Sequence, residues 1–194
     1  GENNFLVALD PASGEELWRN SDLFDPSRRG AKPGSWSTPV VYRDGDRDLL
    51  LLSVPFELAA FDPQDGSKVW SCEGLTQLVY TSPLVGKGLA VGMSGYGGAA
   101  IAARTGGSGN VTESHRLWRH ERNPQRVGSG IIVDDHIYIL HDTGVVACLD
   151  AKTGEEAWRD RLSGTWSSMV HANGRIYIID QGGTTHVLKA NPKE

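Results

Sequence analysis

The chain has 194 residues with a formal net charge of −5, and it contains 24 Gly and 9 Pro but only two Cys. This acidic balance provides no basic surface for nucleic acid or anionic lipid, so we expect no nucleic-acid partner. No apolar run reaches the roughly 18 residues that a membrane span requires. Short runs of Val, Ile, Leu and Tyr between frequent Gly and Pro favour an all-β chain with many tight turns.

One turn motif recurs along the chain, as ALDPASGEELW at 8–18, AFDPQDGSKVW at 60–70 and CLDAKTGEEAW at 148–158. In this spacing Asp hydrogen-bonds nearby backbone, Gly takes the left-handed position of a bulged hairpin, and the second strand carries the Trp. An indole at one fixed place per repeat most simply packs on the neighbouring turn. We therefore predict a structural docking role for Asp10, Asp62, Asp150, Gly14, Gly66, Gly154, Trp18, Trp70, Trp118 and Trp158.

A second pattern lies between these turns, where small polar residues lead into apolar runs: STPVV at 37–41, TSPLV at 81–85, GSGIIV at 128–133 and SSMV at 167–170. Each run is followed by a polar turn and another strand, which predicts a four-stranded antiparallel meander with strands A to D. The chain then contains strands C and D at about 5–19, complete meanders at 36–72, 79–120 and 126–160, and strands A to C at 166–189. In the middle meander, the insertion RTGGSGNVTESHR replaces the Asp-Gly turn before Trp118.

Four-stranded meanders that repeat every 40–52 residues are typical of a β-propeller, in which radially packed blades bury their faces on each other. We predict one all-β domain over 1–194, with about four blades' worth of strands, which is a partial or half propeller. A stacked solenoid is the alternative architecture. The half propeller either belongs to a larger ring or pairs with a second copy, and a closed four-bladed ring would leave one strand over.

The Ala-x-Asp-x-x-x-Gly-x-x-x-Trp turn, together with VHANGRIYIID and VDDHIYILHDTGVVACLDAKTGEEAW, resembles the tryptophan-docking repeat of pyrroloquinoline-quinone (PQQ) dehydrogenase-type β-propellers. The resemblance extends over nearly the whole chain. The same repeat occurs in the periplasmic lipoprotein of the outer-membrane barrel assembly machinery. The resemblance therefore implies an exported, extracytoplasmic protein, usually with eight blades, but a fold of this kind leaves the function open.

Few features of the dehydrogenases in this family are found in this sequence. The resembling enzymes cover their quinone with a disulfide between adjacent cysteines, beside a bound calcium. Here Cys72 and Cys148 lie in blades separated by an intervening blade, too far apart for a disulfide. No metal, phosphate-binding or nucleophile motif is present in the sequence. We assign no catalytic or metal-binding residue and expect no cofactor, with PQQ and calcium as the alternative.

A ligand or partner is expected on the propeller face formed by the loops between D and A strands and by the B–C turns, because long loops on a rigid scaffold usually carry binding. Aromatic residues at the heads of A strands, basic residues of the loops and polar residues of the turns converge there. For the basic residues of this face the sequence favours a solvated rim over a binding site, and for Trp36, Trp166 and Tyr80 it favours core packing over ligand stacking. The candidate binding face comprises Arg28, Arg29, Lys32, Trp36, Tyr80, Tyr96, Arg122, Arg126, His141, Asp142, Trp166 and Gln181.

The sequence thus favours a non-catalytic extracytoplasmic propeller that acts as a protein-interaction scaffold, with an unidentified protein partner. A PQQ-dependent dehydrogenase or quinone-binding protein is one alternative. A sensor domain of a larger signalling protein is another. A quinone pocket would separate the enzyme from the scaffold, whereas replacement of loop residues would abolish partner binding only in the scaffold.

Overall fold

A computed structural model of the chain describes residues 4–24, 33–123 and 125–193. These residues form twenty strands and one short helix. In chain order the elements are β1 Leu6–Leu9, β2 Glu16–Asn20, β3 Gly34–Ser35, β4 Val40–Asp44, β5 Arg47–Val54, β6 Glu57–Phe61, β7 Lys68–Glu73, β8 Leu78–Val79, β9 Leu84–Gly86, β10 Leu89–Met93, β11 Ala100–Arg104, β12 Gly109–Asn110, α1 Thr112–His115, β13 Arg116–His120, β14 Ile131–Val133, β15 His136–Leu140, β16 Val145–Asp150, β17 Glu156–Arg161, β18 Val170–Ala172, β19 Arg175–Ile179 and β20 Thr185–Lys189.

The strands form five antiparallel blades, and the prediction of an all-β propeller of four-stranded blades is confirmed. Blade 1 contains β1 and β2, blade 2 contains β4 to β7, and blade 3 contains β9, β10, β11 and β13. Blade 4 contains β14 to β17, and blade 5 contains β18 to β20. The three short strands that the sequence did not predict are β3 and β8, which pair with each other in parallel, and β12, which adds to blade 2.

A small residue lies opposite each tryptophan of the outer strands. Ala8 pairs with Trp18, and Cys148 pairs with Trp158 in the same register. Ala60 and Ala102 occupy this position in blades 2 and 3. The register shifts at or directly after this residue in all four blades, which is the bulge expected where a large indole needs room beside a small neighbour.

The turn between the two outer strands is closed by the Asp and the Gly of the repeat. In blade 4 the Gly154 N–H donates to the carbonyl of Asp150 at 2.9 Å, and the Asp150 N–H donates to the carbonyl of Glu155 at 2.8 Å. Gly154 has φ +74°, in the left-handed region where a Cβ is costly. The motif therefore specifies the turn through local backbone geometry, as the sequence predicts.

The indole of blade 1 reaches across to the turn of blade 2. Its Nε1–H donates to the carbonyl of Pro63 at 2.9 Å. A Cβ added to Gly66 would lie 2.5 Å from Cε3 of Trp18, so the ring lies directly on the glycine. Only Gly satisfies both the left-handed backbone and this close approach.

Blades 3 and 4 repeat the contact. The Trp118 indole donates to the carbonyl of Ala151 at 3.0 Å, and a Cβ on Gly154 would lie 2.8 Å from its ring. Trp158 donates to the carbonyl of Asn191 at 3.0 Å, although the segment after β20 lacks the Asp-Gly pair. Each of these indoles therefore joins its own blade to the next one.

Blade 2 departs from this scheme because the insertion takes the place of the next turn. Strand β12 lies parallel to β7, and the Val111 N–H donates to the carbonyl of Ser71 at 2.8 Å. Val111 belongs to the buried cluster around Trp70. The Trp70 indole instead donates to the hydroxyl of Tyr42 at 2.9 Å within its own blade. Burial raises the pKa of Tyr42 to about 12, so this phenol stays neutral.

Hydroxyl groups join the inner strands of neighbouring blades. The Thr38 N–H donates to Oγ of Ser82 at 3.2 Å, and the Ser82 N–H donates to Oγ of Ser129 at 2.9 Å. The Ser129 N–H in turn donates to Oγ of Ser168 at 3.0 Å. The recurring Ser and Thr residues before each A strand thus form a hydrogen-bonded belt along the inner side of four blades.

Gly66→Ala and Gly14→Ala test the cross-blade contact as a matched pair. Both glycines have similar positive φ, but nothing lies within 4 Å of a Cβ at Gly14. Each variant should lose about 1–2 kcal/mol through backbone strain, and Gly66→Ala should lose about 1–3 kcal/mol more by displacing Trp18. Urea unfolding measures both free energies, and equal losses would contradict the contact.

Asp150→Asn tests the contribution of the turn carboxylate to acid stability. Backbone N–H groups of Thr153 and Lys152 donate to this carboxylate, which holds its pKa below the ordinary 3.8. A lowered pKa contributes stability above about pH 4 that is lost as the pH falls through the folded value. The Asn variant should show a shallower fall in melting temperature between pH 5 and pH 3 than the wild type. Asp46→Asn, in the exposed β4–β5 turn, is the control for the loss of one surface carboxylate.

Candidate functional site

The heads of the inner strands and the B–C turns meet on one propeller face. The short parallel pair of β3 and β8 places two aromatic residues there, because the Trp36 N–H donates to the carbonyl of Val79 at 2.8 Å. The Tyr80 N–H donates to the carbonyl of Ser94 at 2.9 Å, which ties the same segment to the B–C turn of blade 3. The backbone therefore brings the heads of blades 2 and 3 together at this face.

Three aromatic rings form a continuous stack. The Trp36 and Tyr80 rings have centroids 4.7 Å apart and an interplanar angle of 3°. The Tyr96 ring follows, with its centroid 4.5 Å from that of Tyr80 at an angle of 55°. Stacked aromatic pairs contribute about 0.5–1.5 kcal/mol beyond the area they bury.

A charged pair continues the stack into blade 4. The guanidinium carbon of Arg126 lies 4.5 Å from the centroid of the Tyr96 ring, within cation–π range. Its Nη1 donates to Oδ2 of Asp142, and this hydrogen bond raises the pKa of Arg126. We call the five residues Trp36, Tyr80, Tyr96, Arg126 and Asp142 the aromatic ladder.

Tyr96, in the middle of the aromatic ladder, has an unusual backbone conformation. Tyr96 has φ +51°, a left-handed conformation that is strained for a residue with a bulky side chain. The preceding Gly95 allows close approach, because a Cβ there would lie 2.3 Å from the carbonyl oxygen of Arg126. The turn thus places the Tyr96 ring between Tyr80 and Arg126 at a cost in backbone strain.

A cavity of about 420 Å³ opens beside the charged end of the ladder. It is lined by Tyr96, Gly97, Arg126, His141, Asp142 and Thr143. Burial lowers the pKa of His141, so its imidazole is neutral at pH 7. The fixed charges of the cavity wall are therefore those of the Arg126–Asp142 pair.

The aromatic ladder is open to solvent. Trp36 is 62% exposed and Tyr96 is 50% exposed. Core packing, which the sequence favoured slightly for Trp36 and Trp166, is wrong for both, since Trp166 is 54% exposed.

Six of the twelve residues of the candidate face come together around the ladder: Trp36, Tyr80, Tyr96, Arg126, His141 and Asp142. Arg28, Arg29 and Lys32 lie outside the described residues. Within 33–123 and 125–193, no hydrogen bond, ion pair or ring contact joins Arg122, Trp166 or Gln181 to the ladder. The stack itself was not evident from the sequence, because its members lie in three blades and up to 106 positions separate Trp36 from Asp142.

The two cysteines are buried in different blades and are not bonded to each other. Burial raises the pKa of the Cys72 thiol to about 11, which keeps it protonated and unreactive at neutral pH. Among the residues that the structure describes, no three His, Cys, Asp or Glu side chains are grouped as metal ligands. The one helix in this part of the chain, with four residues, is too short to cross a membrane.

Blades with docked tryptophans define a PQQ-type β-propeller repeat protein. The family model described as outer membrane protein assembly factor BamB matches residues 2–128 and 112–193, and the chain belongs to this family. A curated relative, the assembly factor BamB of Nitrosomonas eutropha, is 24% identical over 93% of this chain and 52% of its own length.

Solved structures show the same fold. BamB from Moraxella catarrhalis superposes with a TM-score of 0.71 and 20% identity, over 96% of this chain and 52% of that one. The quinohemoprotein alcohol dehydrogenase ADHIIG from Pseudomonas putida HK5 has a TM-score of 0.55 and 18% identity, over 75% of this chain and 28% of the enzyme. The chain spans about half the length of the BamB relatives it matches.

Trp36→Ala and Trp70→Ala should separate the exposed ladder from the core. Trp70 is fully buried, so its removal should cost about 3–5 kcal/mol of unfolding free energy. Trp36 loses mainly its stack on Tyr80, so its removal should cost about 0.5–1.5 kcal/mol. Denaturant unfolding compares the two, and similar losses would show that Trp36 is a structural residue.

Proposed function

We propose that this chain is a non-catalytic, extracytoplasmic interaction scaffold that binds a protein partner through the aromatic ladder. The observation that carries the proposal is a solvent-exposed stack of Trp36, Tyr80 and Tyr96 continued by Arg126. Trp, Tyr and Arg are the residue types that dominate binding energy at protein interfaces. A surface built from them on a rigid scaffold suits the recognition of another protein.

The organisation of the ladder favours binding over packing. Within the described residues the Trp36 indole N–H has no hydrogen-bond acceptor, although its ring is fixed against Tyr80. An amphipathic ring with a free donor is typical of interface anchors. Because the rings already support one another, little side-chain entropy remains to be lost when a partner binds.

The cellular process that we propose for this surface is based on the family to which the chain belongs. Related chains are described as outer membrane protein assembly factors, and we propose that this chain acts in the same process, on the periplasmic side of the outer membrane. No cofactor is needed for such a role. The vicinal cysteine pair of the resembling dehydrogenases has no counterpart, because Cys72 and Cys148 lie in β7 and β16 of separate blades.

Site-specific photo-crosslinking tests the binding face. A photoreactive amino acid is placed at position 36 or 96 on the ladder, and at position 43 or 152 on the turns of the opposite face. In bacteria that produce the protein, crosslinks to one common partner are expected from 36 and 96, with none from 43 and 152. Mass spectrometry identifies the partner, and equal crosslinking from both faces would refute a ladder-specific site.

Affinity for the partner identified in this way then tests the energetic role of the ladder. Trp36→Ala should weaken binding at least about tenfold, as expected for an interface anchor. Trp166→Ala is the matched control, because Trp166 is also an exposed residue at the head of an A strand but lies outside the ladder. An equal effect of the two variants would contradict the proposal. Saturable binding of PQQ with calcium would instead favour the quinone-binding alternative.

A further inference from the structure

The cavity beside the charged end of the aromatic ladder lies between blades 3 and 4. Its walls are the B–C turn of blade 3 with Tyr96 and Gly97, the loop after β13 with Arg126, and the B–C turn of blade 4 with residues 141–143. Blades 3 and 4 are both complete four-stranded sheets. The volume of about 420 Å³ lies in the range of about 300–1,000 Å³ that is usual for small-molecule sites.

Hydrogen bonds between the walls fix the shape of the cavity. The Asn123 N–H donates to the carbonyl of Gly98 at 2.7 Å, which joins the loop after β13 to blade 3. The buried Gln125 side chain accepts the N–H of Leu140 at 3.0 Å through its Oε1, which joins the same loop to blade 4. Arg126 follows directly and is held by its ion pair. The walls are therefore in place before a ligand binds, so little free energy of binding is lost in ordering them.

The fixed charges of the walls cancel each other. Nη1 of Arg126 donates to Oδ2 of Asp142, and the neutral imidazole of His141 adds no charge at pH 7. The remaining lining residues are uncharged, namely Tyr96, Gly97 and Thr143. An anion would meet the Asp142 carboxylate and a cation would meet the Arg126 guanidinium, and like charges that face each other are costly. The cavity therefore favours a neutral ligand.

Hydrogen-bonding groups without a protein partner line the wall from blade 4. In the part of the chain that the structure describes, no hydrogen bond engages the Thr143 hydroxyl or a ring nitrogen of His141. Asp142 uses Oδ2 for its ion pair, which leaves Oδ1 as an acceptor. A neutral imidazole offers one donor and one acceptor, and a hydroxyl offers both. Three successive residues thus present both donors and acceptors to the cavity.

We infer that this cavity binds a short neutral saccharide. Each hydroxyl of a sugar both donates and accepts hydrogen bonds, which matches the mixed groups of His141, Asp142 and Thr143. The C–H groups of the sugar would lie against the half-exposed Tyr96 side chain, and a few polar groups beside an aromatic wall are usual in small-molecule sites. The inference goes beyond the proposed interaction scaffold and does not depend on a protein partner.

The number of polar groups favours a saccharide over a single carboxamide, the other neutral group that both donates and accepts. A carboxamide has one oxygen and one nitrogen, so it would leave most of these wall groups without a partner. A site built to bond several groups rejects a ligand that leaves them unpaired. Several hydroxyl groups on one ring reach the wall groups together, and a cavity of about 420 Å³ has room for such a ring.

Titration of the isotope-labelled protein with neutral disaccharides tests the site by nuclear magnetic resonance. The probes are maltose, cellobiose and N,N′-diacetylchitobiose, which differ in linkage and substituents. With at least one of them, at up to about 50 mM, we expect saturable shifts of the Gly97 and Thr143 amide signals and an affinity in the millimolar range. Acetamide at the same concentration should give no saturable shift.

Thr143→Val is the matched protein variant, because it removes only the hydroxyl at an exposed turn position. It should keep the amide spectrum of the folded protein and weaken binding of the disaccharide about three- to tenfold, as expected for one hydrogen bond. Thr185→Val, at an exposed position of β20, is the control that should leave the affinity unchanged.

Four results would overturn the inference. They are the absence of saturable shifts with all of the disaccharides, equal binding of acetamide, shifts confined to Trp36 and Tyr80, and equal affinities of the Thr143→Val and Thr185→Val variants.

Discussion

An indole resting on a left-handed glycine of the next blade is the contact on which the propeller depends. This contact has three requirements. The backbone must adopt a conformation that only Gly adopts easily, the residue under the ring must have no Cβ, and a carbonyl must accept the indole N–H. The small residue opposite each Trp and the bulge beside it follow from the same demand for space. Because each contact joins successive blades, the repeat specifies both the hairpin and its neighbour.

The insertion in blade 3 shows how the chain preserves packing where this contact is missing. Val111 and β12 cover the outer edge of blade 2. The Trp70 indole donates to the hydroxyl of Tyr42 within its own blade. Further inward, the Ser and Thr side chains before each A strand provide a second set of links between blades. With the blades held from both sides, the rim can carry exposed aromatic residues and the strained Tyr96 turn without losing the fold.

Prediction from the sequence succeeded for the elements whose structure depends only on residues close to one another in the chain. The meanders, the Asp-Gly turns and the separation of Cys72 from Cys148 follow from local spacing. The strands β3, β8 and β12 were not predicted, because two-residue pairings in loops have no periodic pattern. The candidate face was assembled from loop topology, and about half of it meets in the ladder. Sequence spacing does not tell whether Trp36 stacks on a ring from another blade or enters the core, so the choice of core packing was wrong.

By itself, the sequence determined the all-β repeat, the turn chemistry and the positions of the outer-strand tryptophans, since these depend on backbone conformations within about eleven residues. The tertiary structure alone decided which groups those residues meet. It showed that Trp70 donates to the hydroxyl of Tyr42, and that Trp36, Tyr80, Tyr96 and Arg126 form one stack. The physical reason is that hydrogen bonds close a turn locally, whereas a ring contact between blades depends on the radial packing of whole sheets.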